Sequence, residues 1–246
     1  MSEPIRLGHI ALSFHEASAL EVATVLESHG HEVSHASAHH EAAFEMLGAG
    51  EIDLLASAWL PSSHEVYLNP MLDQVEKLTV LYEPFCIWGV PESVPESDVS
   101  SVEDLLREPA LARMERLIQG INPGAGISRF SEEVIVAYGL GDAGYEFRSG
   151  TEEECFDRFE EAVEEERWVV VPLWHPQFLH NRYAIRALSE PKGLLGTQDD
   201  ATLIVRKDAK SRIGDAALKA LSQLHIGNPK LSALEDALRS NASAGE

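Results

Sequence analysis

The 246-residue chain is predicted to adopt an α/β fold, on three observations. Short apolar runs suited to strands alternate with stretches of helical periodicity through the first quarter of the chain, the pattern of parallel strands joined by helices. A break marked by Pro91, Pro95 and a cluster of Ser and acidic residues separates this alternation from a second one downstream. Hydrophobic residues make up 44% of the chain, which at this length suffices for one large core or two moderate ones.

Residues 5–12 read as a strand. Residues 17–29 read as a helix, with Leu20, Val22, Ala23, Val25 and Leu26 at helical spacing until Gly30 stops it. A short strand over 32–35 and a helix over 41–47, ended by Gly48 and Gly50, lead to 52–56, an apolar run suited to a strand buried on both faces. Residues 80–90 are rich in β-branched and aromatic side chains, and the break that follows is where the chain is expected to cross between lobes. Beyond it a helix starts over 102–106, a strand covers 117–121, and Asn122-Pro123-Gly124-Ala125-Gly126 forms a turn into a helix over 128–138. A further strand, an acidic helix over 152–165 and a strand over 168–173 follow. The helix carries Phe156, Phe159 and Val163 on one face and a solvated row of Glu on the other. Residues 201–206 form a returning strand, 210–224 and 229–238 two helices, and 240–246 a frayed tail.

The charge balance removes whole classes of function. Lys and Arg number 19 against 41 Asp and Glu, a net charge of −22 that repels nucleic acid phosphates and anionic membranes alike. Membrane insertion is not expected, because no uninterrupted apolar run reaches the length of a spanning helix. Cys86 and Cys155 show no C-x-x-C spacing and are expected to be free thiols packed as small hydrophobes. The start, Met-Ser-Glu-Pro-Ile-Arg, lacks the basic region, apolar run and cleavage site of a secretory signal. The chain as written is therefore expected in the cytoplasm, and outside it if the start is incomplete.

Two aromatic segments stand out. Ser57-Ala58-Trp59-Leu60-Pro61-Ser62-Ser63-His64 follows the apolar run at 52–55, and Trp168-Val169-Val170-Val171-Pro172-Leu173-Trp174-His175-Pro176 repeats the arrangement in the second half. A Trp at a strand exit, with Pro ending further pairing, is placed to present its π face to a cavity, and a π face attracts cations. Trp88 and Trp168 lie inside apolar runs and read as core side chains.

Taken in order, the Trp59-Leu60-Pro61 to His64 to Tyr67 segment, Gly120-Ile121-Asn122-Pro123-Gly124-Ala125-Gly126-Ile127, Trp174-x-Pro176, Tyr183, Pro191-Lys192-Gly193 and Val205-Arg206-Lys207 resemble the substrate-binding proteins of glycine betaine and proline betaine ABC transporters. The resemblance runs from about residue 5 to residue 238. It implies a two-lobe fold of the periplasmic-binding-protein type (type II), with lobe 1 formed by 1–88 and 195–246, lobe 2 by 89–194, and ligand held in the cleft between them. It further implies a quaternary ammonium ligand of the glycine betaine, proline betaine, choline or carnitine class. The partner it implies is a transporter membrane subunit, and neither cofactor nor catalysis is expected. Carried over by position, Trp59 and Trp174 are cage walls, and His64 and the amides of Gly120 and Ile121 meet the ligand carboxylate. Leu12 stands where a third cage Trp is expected, so one wall is missing or replaced, and Phe14, two residues on, substitutes for it only if the loop shifts. Gln177 and Phe178 depart from the family's usual His and Trp.

The physics of such a ligand agrees with this choice of residues. A trimethylammonium group donates no hydrogen bond and is held by dispersion and cation–π attraction, about 0.5–2 kcal/mol per desolvated ring. Its carboxylate needs donors, which amides entering a helix N-terminus supply.

Other readings remain open on the sequence. A cytoplasmic sensor or buffer of the same ligand is one, and an enzyme or metal-handling protein using His9, His15, His64 and His175 on the same scaffold is another. His29, His31, His35, His39, His40 and Glu41 are rich in potential ligands, but a helix end, a strand and a helix start separate their side chains, so no metal site is assigned. No Gly-x-Ser-x-Gly, His-Glu-x-x-His or Walker-type loop is present.

Overall fold

The computed structural model describes residues 3–243, and these form two compact units, one from the described residues up to 84 together with those from 198 onward, the other 85–197. The expected boundaries, 88/89 and 194/195, differ by a few residues. In unit 1 the chain runs β1 (Ile5–Ile10), α1 (Ser13–Ser28), β2 (Val33–Ala38), α2 (His40–Ala49), β3 (Leu54–Leu60), α3 (Glu65–Leu68) and β4 (Val75–Tyr82). Unit 2 holds β5 (Phe85–Pro91), α4 (Ala110–Arg113), β6 (Leu117–Gln119), α5 (Gly126–Ala137), β7 (Glu146–Arg148), α6 (Glu152–Glu164), β8 (Val171–His175), α7 (Leu179–Arg182) and β9 (Ile185–Ala187). The chain returns to unit 1 as β10 (Asp200–Arg206), α8 (Lys210–Ile213), α9 (Asp215–Leu221) and α10 (Asn228–Ser243).

The sheet of unit 1 has the order β2-β1-β3-β10-β4. β1 pairs in parallel with β2 and β3, as the helical crossovers α1 and α2 require. β3 is buried along its whole length, which explains why its sequence is a continuous apolar run rather than an alternation. β10 is antiparallel to β3 and β4, because it re-enters the unit after the excursion through unit 2 instead of through a crossover helix. The α1 side chains Ala19, Val22, Ala23 and Leu26 are buried, and α10 packs beside α1, joined by Ser13 Oγ donating to Glu235 Oε1 at 2.6 Å.

In unit 2 only β6 and β7 pair in parallel among the named strands. β5 is the centre of a three-stranded antiparallel sheet with β8 and β9. Its core is built from Trp88, Phe156, Phe159, Val171, Leu173, Trp174 and Phe178. The acidic start of α6 has a function of its own. Thr151 Oγ1 accepts from Glu154 N–H at 3.1 Å while Glu154 Oε2 accepts from Thr151 N–H at 2.7 Å, a capping box with three glutamates placed at the positive end of the helix.

Several boundaries differ from expectation. α1 begins at Ser13, four residues before 17, since Leu12 in extended backbone (φ −142°, ψ 144°) accepts the first helical bond from Glu16 N–H at 3.0 Å. The apolar stretch at 80–90 is divided by a turn into β4 and β5. The helix expected over 210–224 is broken at Gly214, whose φ of +78° suits glycine, into α8 and α9. Residues 240–243 continue α10, and the rest of the expected frayed tail, 244–246, lies outside the described residues. Cys86 and Cys155 form no disulfide among the described residues. Among the described residues no helix is long and apolar enough to cross a membrane.

Candidate functional site

In unit 1 the buried strand β3 delivers Trp59 to the edge of an aromatic cluster. The early start of α1 puts Phe14 and His15 on its first turn, with their ring centroids 5.1 and 5.7 Å from that of Trp59. Trp59 is 5% exposed, and its indole Nε1–H donates to the Tyr82 hydroxyl at 3.0 Å, which sets the plane of the ring. Phe14 is thus beside Trp59, whereas Leu12 is the residue that caps α1, buried at 6% exposure, and carries no ring.

His64 is built into the same cluster by its backbone. Its N–H donates to Trp59 O at 2.8 Å, and Trp59 N–H donates to His64 Nδ1 at 2.9 Å, a reciprocal pair that holds the turn closed. Because Nδ1 accepts, the neutral ring carries its proton on Nε2 and is a donor there. Asp199 secures the loop from β10's side, accepting from Ser62 N–H at 2.6 Å, Ser63 N–H at 3.1 Å and Ser63 Oγ at 2.8 Å. The His64 ring lies 6.2 Å from Trp59 in a stacked orientation and also meets His40, Phe44 and Tyr67. Burial, with His64, His40 and His9 adding repulsion, holds His15 well below the ordinary histidine range.

Unit 2 holds the other expected residues. Trp174 lies on β8 opposite Cys86, 1% exposed, with Phe156 at 5.7 Å and 50°, and Phe178 edge-on to Phe156. His180 Nε2 is 3.0 Å from Trp174 O. Burial first, then the neighbouring His175 stacked on it at 3.7 Å, pushes His180 down to about 4. Gly120 follows β6, and its N–H is donated to Arg148 O at 2.8 Å, so in this structure that amide is not offered to a ligand. What requires glycine there is close approach: a Cβ would lie 2.4 Å from the Phe147 ring. The N–H of Ile121 meets no acceptor among the described residues, and its carbonyl accepts from Ser128 Oγ at 3.1 Å at the entry to α5.

Of the histidines considered together, His9, His15 and His64 belong to unit 1, while His175 is in unit 2, stacked between Phe85 and His180. His29 turns back to Val25 O and His31 reaches Ile213 O. Among the described residues no group of three His, Cys, Asp or Glu side chains is gathered to hold a metal ion. The sequence reading missed Tyr82 and Phe44 and did not join Ser57 or His40 to this cluster. Tyr82 is 25 residues from Ser57 along the chain, and nothing in local spacing joins them.

The family model described as the substrate binding domain of ABC-type glycine betaine transport systems matches residues 3–246. A glycine betaine/carnitine transport binding protein of Listeria monocytogenes is 28% identical over 93 residues, 38% of this chain and 31% of that relative's length. The chain thus spans less than a third of that curated relative. Among solved structures, lactococcal OpuAC, in a closed form complexed with glycine betaine, superimposes with a TM-score of 0.84 at 24% identity, over 97% of this chain and 91% of the other. A glycine/betaine/L-proline-binding protein (ProX) of Borrelia burgdorferi gives 0.85 at 22% identity, over 97% and 88%. These two likenesses show a common two-lobe α/β fold, and with the family match extending over essentially every residue, this chain belongs to the substrate-binding domains of ABC-type glycine betaine transport systems.

Proposed function

We propose that this protein binds a small quaternary ammonium compound carrying a carboxylate, of the glycine betaine class, and hands it unchanged to the membrane subunit of an ABC transporter. The observation that carries the reading is the coupling of Trp59 to His64. One backbone pair sets an indole face and an imidazole Nε2–H donor side by side, the two chemistries that a trimethylammonium and a carboxylate require. Phe14, in ring contact with Trp59, takes the place of the wall that Leu12 lacks. Trp174 is assigned a second cage wall by the resemblance. Ile121 N–H, at the entry to α5, is the backbone donor for the carboxylate, and the role expected of the Gly120 amide passes to it.

Isothermal titration with glycine betaine, proline betaine, carnitine and choline tests the proposal. Glycine betaine or proline betaine is expected to bind, and both Trp59→Ala and Trp174→Ala to abolish measurable binding in folded protein. Retention of affinity in either variant, or indifference to every methylated amine, would defeat it.

A further inference from the structure

Trp59 is the visible end of a buried chain of hydrogen bonds. Its indole Nε1–H donates to Tyr82 OH at 3.0 Å, Tyr82 OH is 2.6 Å from Ser57 Oγ, and Ser57 Oγ is 3.0 Å from His15 Nδ1. All four side chains are buried, so water does not substitute for these partners. The indole is a donor only, so the Tyr82 oxygen accepts on that side, and the polarity assigned to the rest of the chain is the one that leaves His15 Nδ1 an acceptor. Tyr82 accepts from Trp59 and donates to Ser57, Ser57 donates to His15 Nδ1, and the neutral His15 keeps its proton on Nε2. Each hydroxyl then gives one hydrogen bond and takes one.

We propose that His15 is a positioning residue for the Trp59 wall, and that its protonation, transmitted through Ser57 and Tyr82, loosens Trp59 and releases the ligand on acidification. The proposal rests on the reading that Trp59 holds the methylated ammonium. A proton added at His15 Nδ1 turns that atom into a donor to Ser57, and Ser57 must then direct its own proton at Tyr82. The Tyr82 oxygen now takes two donors, Ser57 and Trp59, and its own proton turns to the Ser18 oxygen, which accepts while its hydroxyl donates to His15 O at 2.8 Å, so the Trp59 indole comes to share its acceptor with Ser57. The same event places a positive charge 5.7 Å from the Trp59 ring, where a cationic ligand competes with it.

The surroundings of His15 are of one kind. His9 comes from β1, His40 from α2, His64 from the turn before α3 and Tyr82 from β4, while Glu235 of α10 acts on Tyr82 and accepts from Ser13. Three further imidazoles and burial oppose a charge on His15, so the neutral form prevails at neutral pH and yields only on acidification.

The test follows the ¹⁵N-labelled full chain from pH 8 to pH 4, with the Trp59 indole N–H resonance assigned through Trp59→Phe, and calorimetry with glycine betaine and choline over the same range. Choline has no carboxylate, so the contact assigned to His64 does not enter its profile. In the wild type the Trp59 resonance is expected to shift, and the Kd for choline to rise on the order of tenfold. His15→Asn, which offers a neutral acceptor near Nδ1, is expected to flatten both profiles. Ser57→Ala is expected to uncouple Trp59 while leaving His15 free to titrate, and it serves as a second route should His15→Asn fold poorly. A wild-type slope in both variants, or a Trp59 resonance indifferent to pH in protein that binds its ligand, overturns the proposal alone. Folded protein that binds no methylated amine at pH 8 overturns the functional reading and the ligand-release half with it, and the resonance titration then decides the coupling by itself.

Discussion

His64 shows how one side chain obtains its chemistry from its neighbours. Accepting Trp59 N–H at Nδ1 leaves Nε2 as the donor, and a hydrogen bond from it to a carboxylate is of the charge-assisted kind, about 1.5–3 kcal/mol. His64→Ala is therefore expected to weaken glycine betaine binding by about 10- to 100-fold and choline binding much less, as read by parallel calorimetric titrations. Equal losses for the two ligands would show that His64 acts through Trp59 alone. Phe14→Leu removes a ring but keeps bulk, and is expected to weaken both ligands by about 0.5–2 kcal/mol. Trp59, Trp174, His64 and Phe14 could be named from the chain because each carries a recognisable group in a recognisable segment. Tyr82, Ser57 and His15 could not be linked, since their bonds join α1, β3 and β4 through space.

At the scale of the element, turns and close approaches decide where the functional groups stand. Gly120 lies where β6 leaves its sheet, with the Phe147 ring pressed against its Cα. Gly120→Ala is expected to destabilise the protein by about 1–3 kcal/mol through overpacking, measured by urea unfolding. A neutral result would mean that Phe147 swings aside freely. The start of α1 was misplaced on the sequence for a physical reason. Ser13, His15 and Glu16 are polar, so periodicity began only at Ala17, yet in the fold His15 is buried against β3 and the helix begins before it. The crossovers of β1, β2 and β3 were legible because α1 and α2 must return the chain in the same direction. The antiparallel sheet of unit 2 was not, since β5 pairs with β8 and β9 across most of that unit's length.

Across the whole molecule, titration and charge set the conditions of stability. His15 and His180 are both held below the ordinary histidine value by burial, so as pH falls through about 6.5 the unfolded chain takes up protons first. Stability is thus fully present above that pH and is lost progressively toward about 4. Desolvation and the Glu190 carboxylate push Tyr138 up to about 12, so its contribution is present below about 10 and fades as pH rises beyond it. Thermal unfolding followed by circular dichroism is expected to show a plateau from neutral to mildly alkaline pH and a falling Tm on acidification. A Tm unchanged between pH 7 and 5 would contradict it. The net charge of −22 repels itself, and moderate salt is expected to raise Tm at neutral pH by screening. A fall in Tm with added salt would show that ion pairs such as Arg6–Asp53 outweigh that repulsion.

The sequence by itself determined the α/β class and the family, because hydrophobic periodicity and short ordered motifs are properties of neighbours along the chain. Tertiary structure alone decided that Phe14 meets Trp59, that the Gly120 amide serves β7, and that His15 reaches Trp59 through two hydroxyls. Those are contacts between segments brought together by packing, and the bonds that orient a side chain depend on which buried donor faces which acceptor once the core has closed.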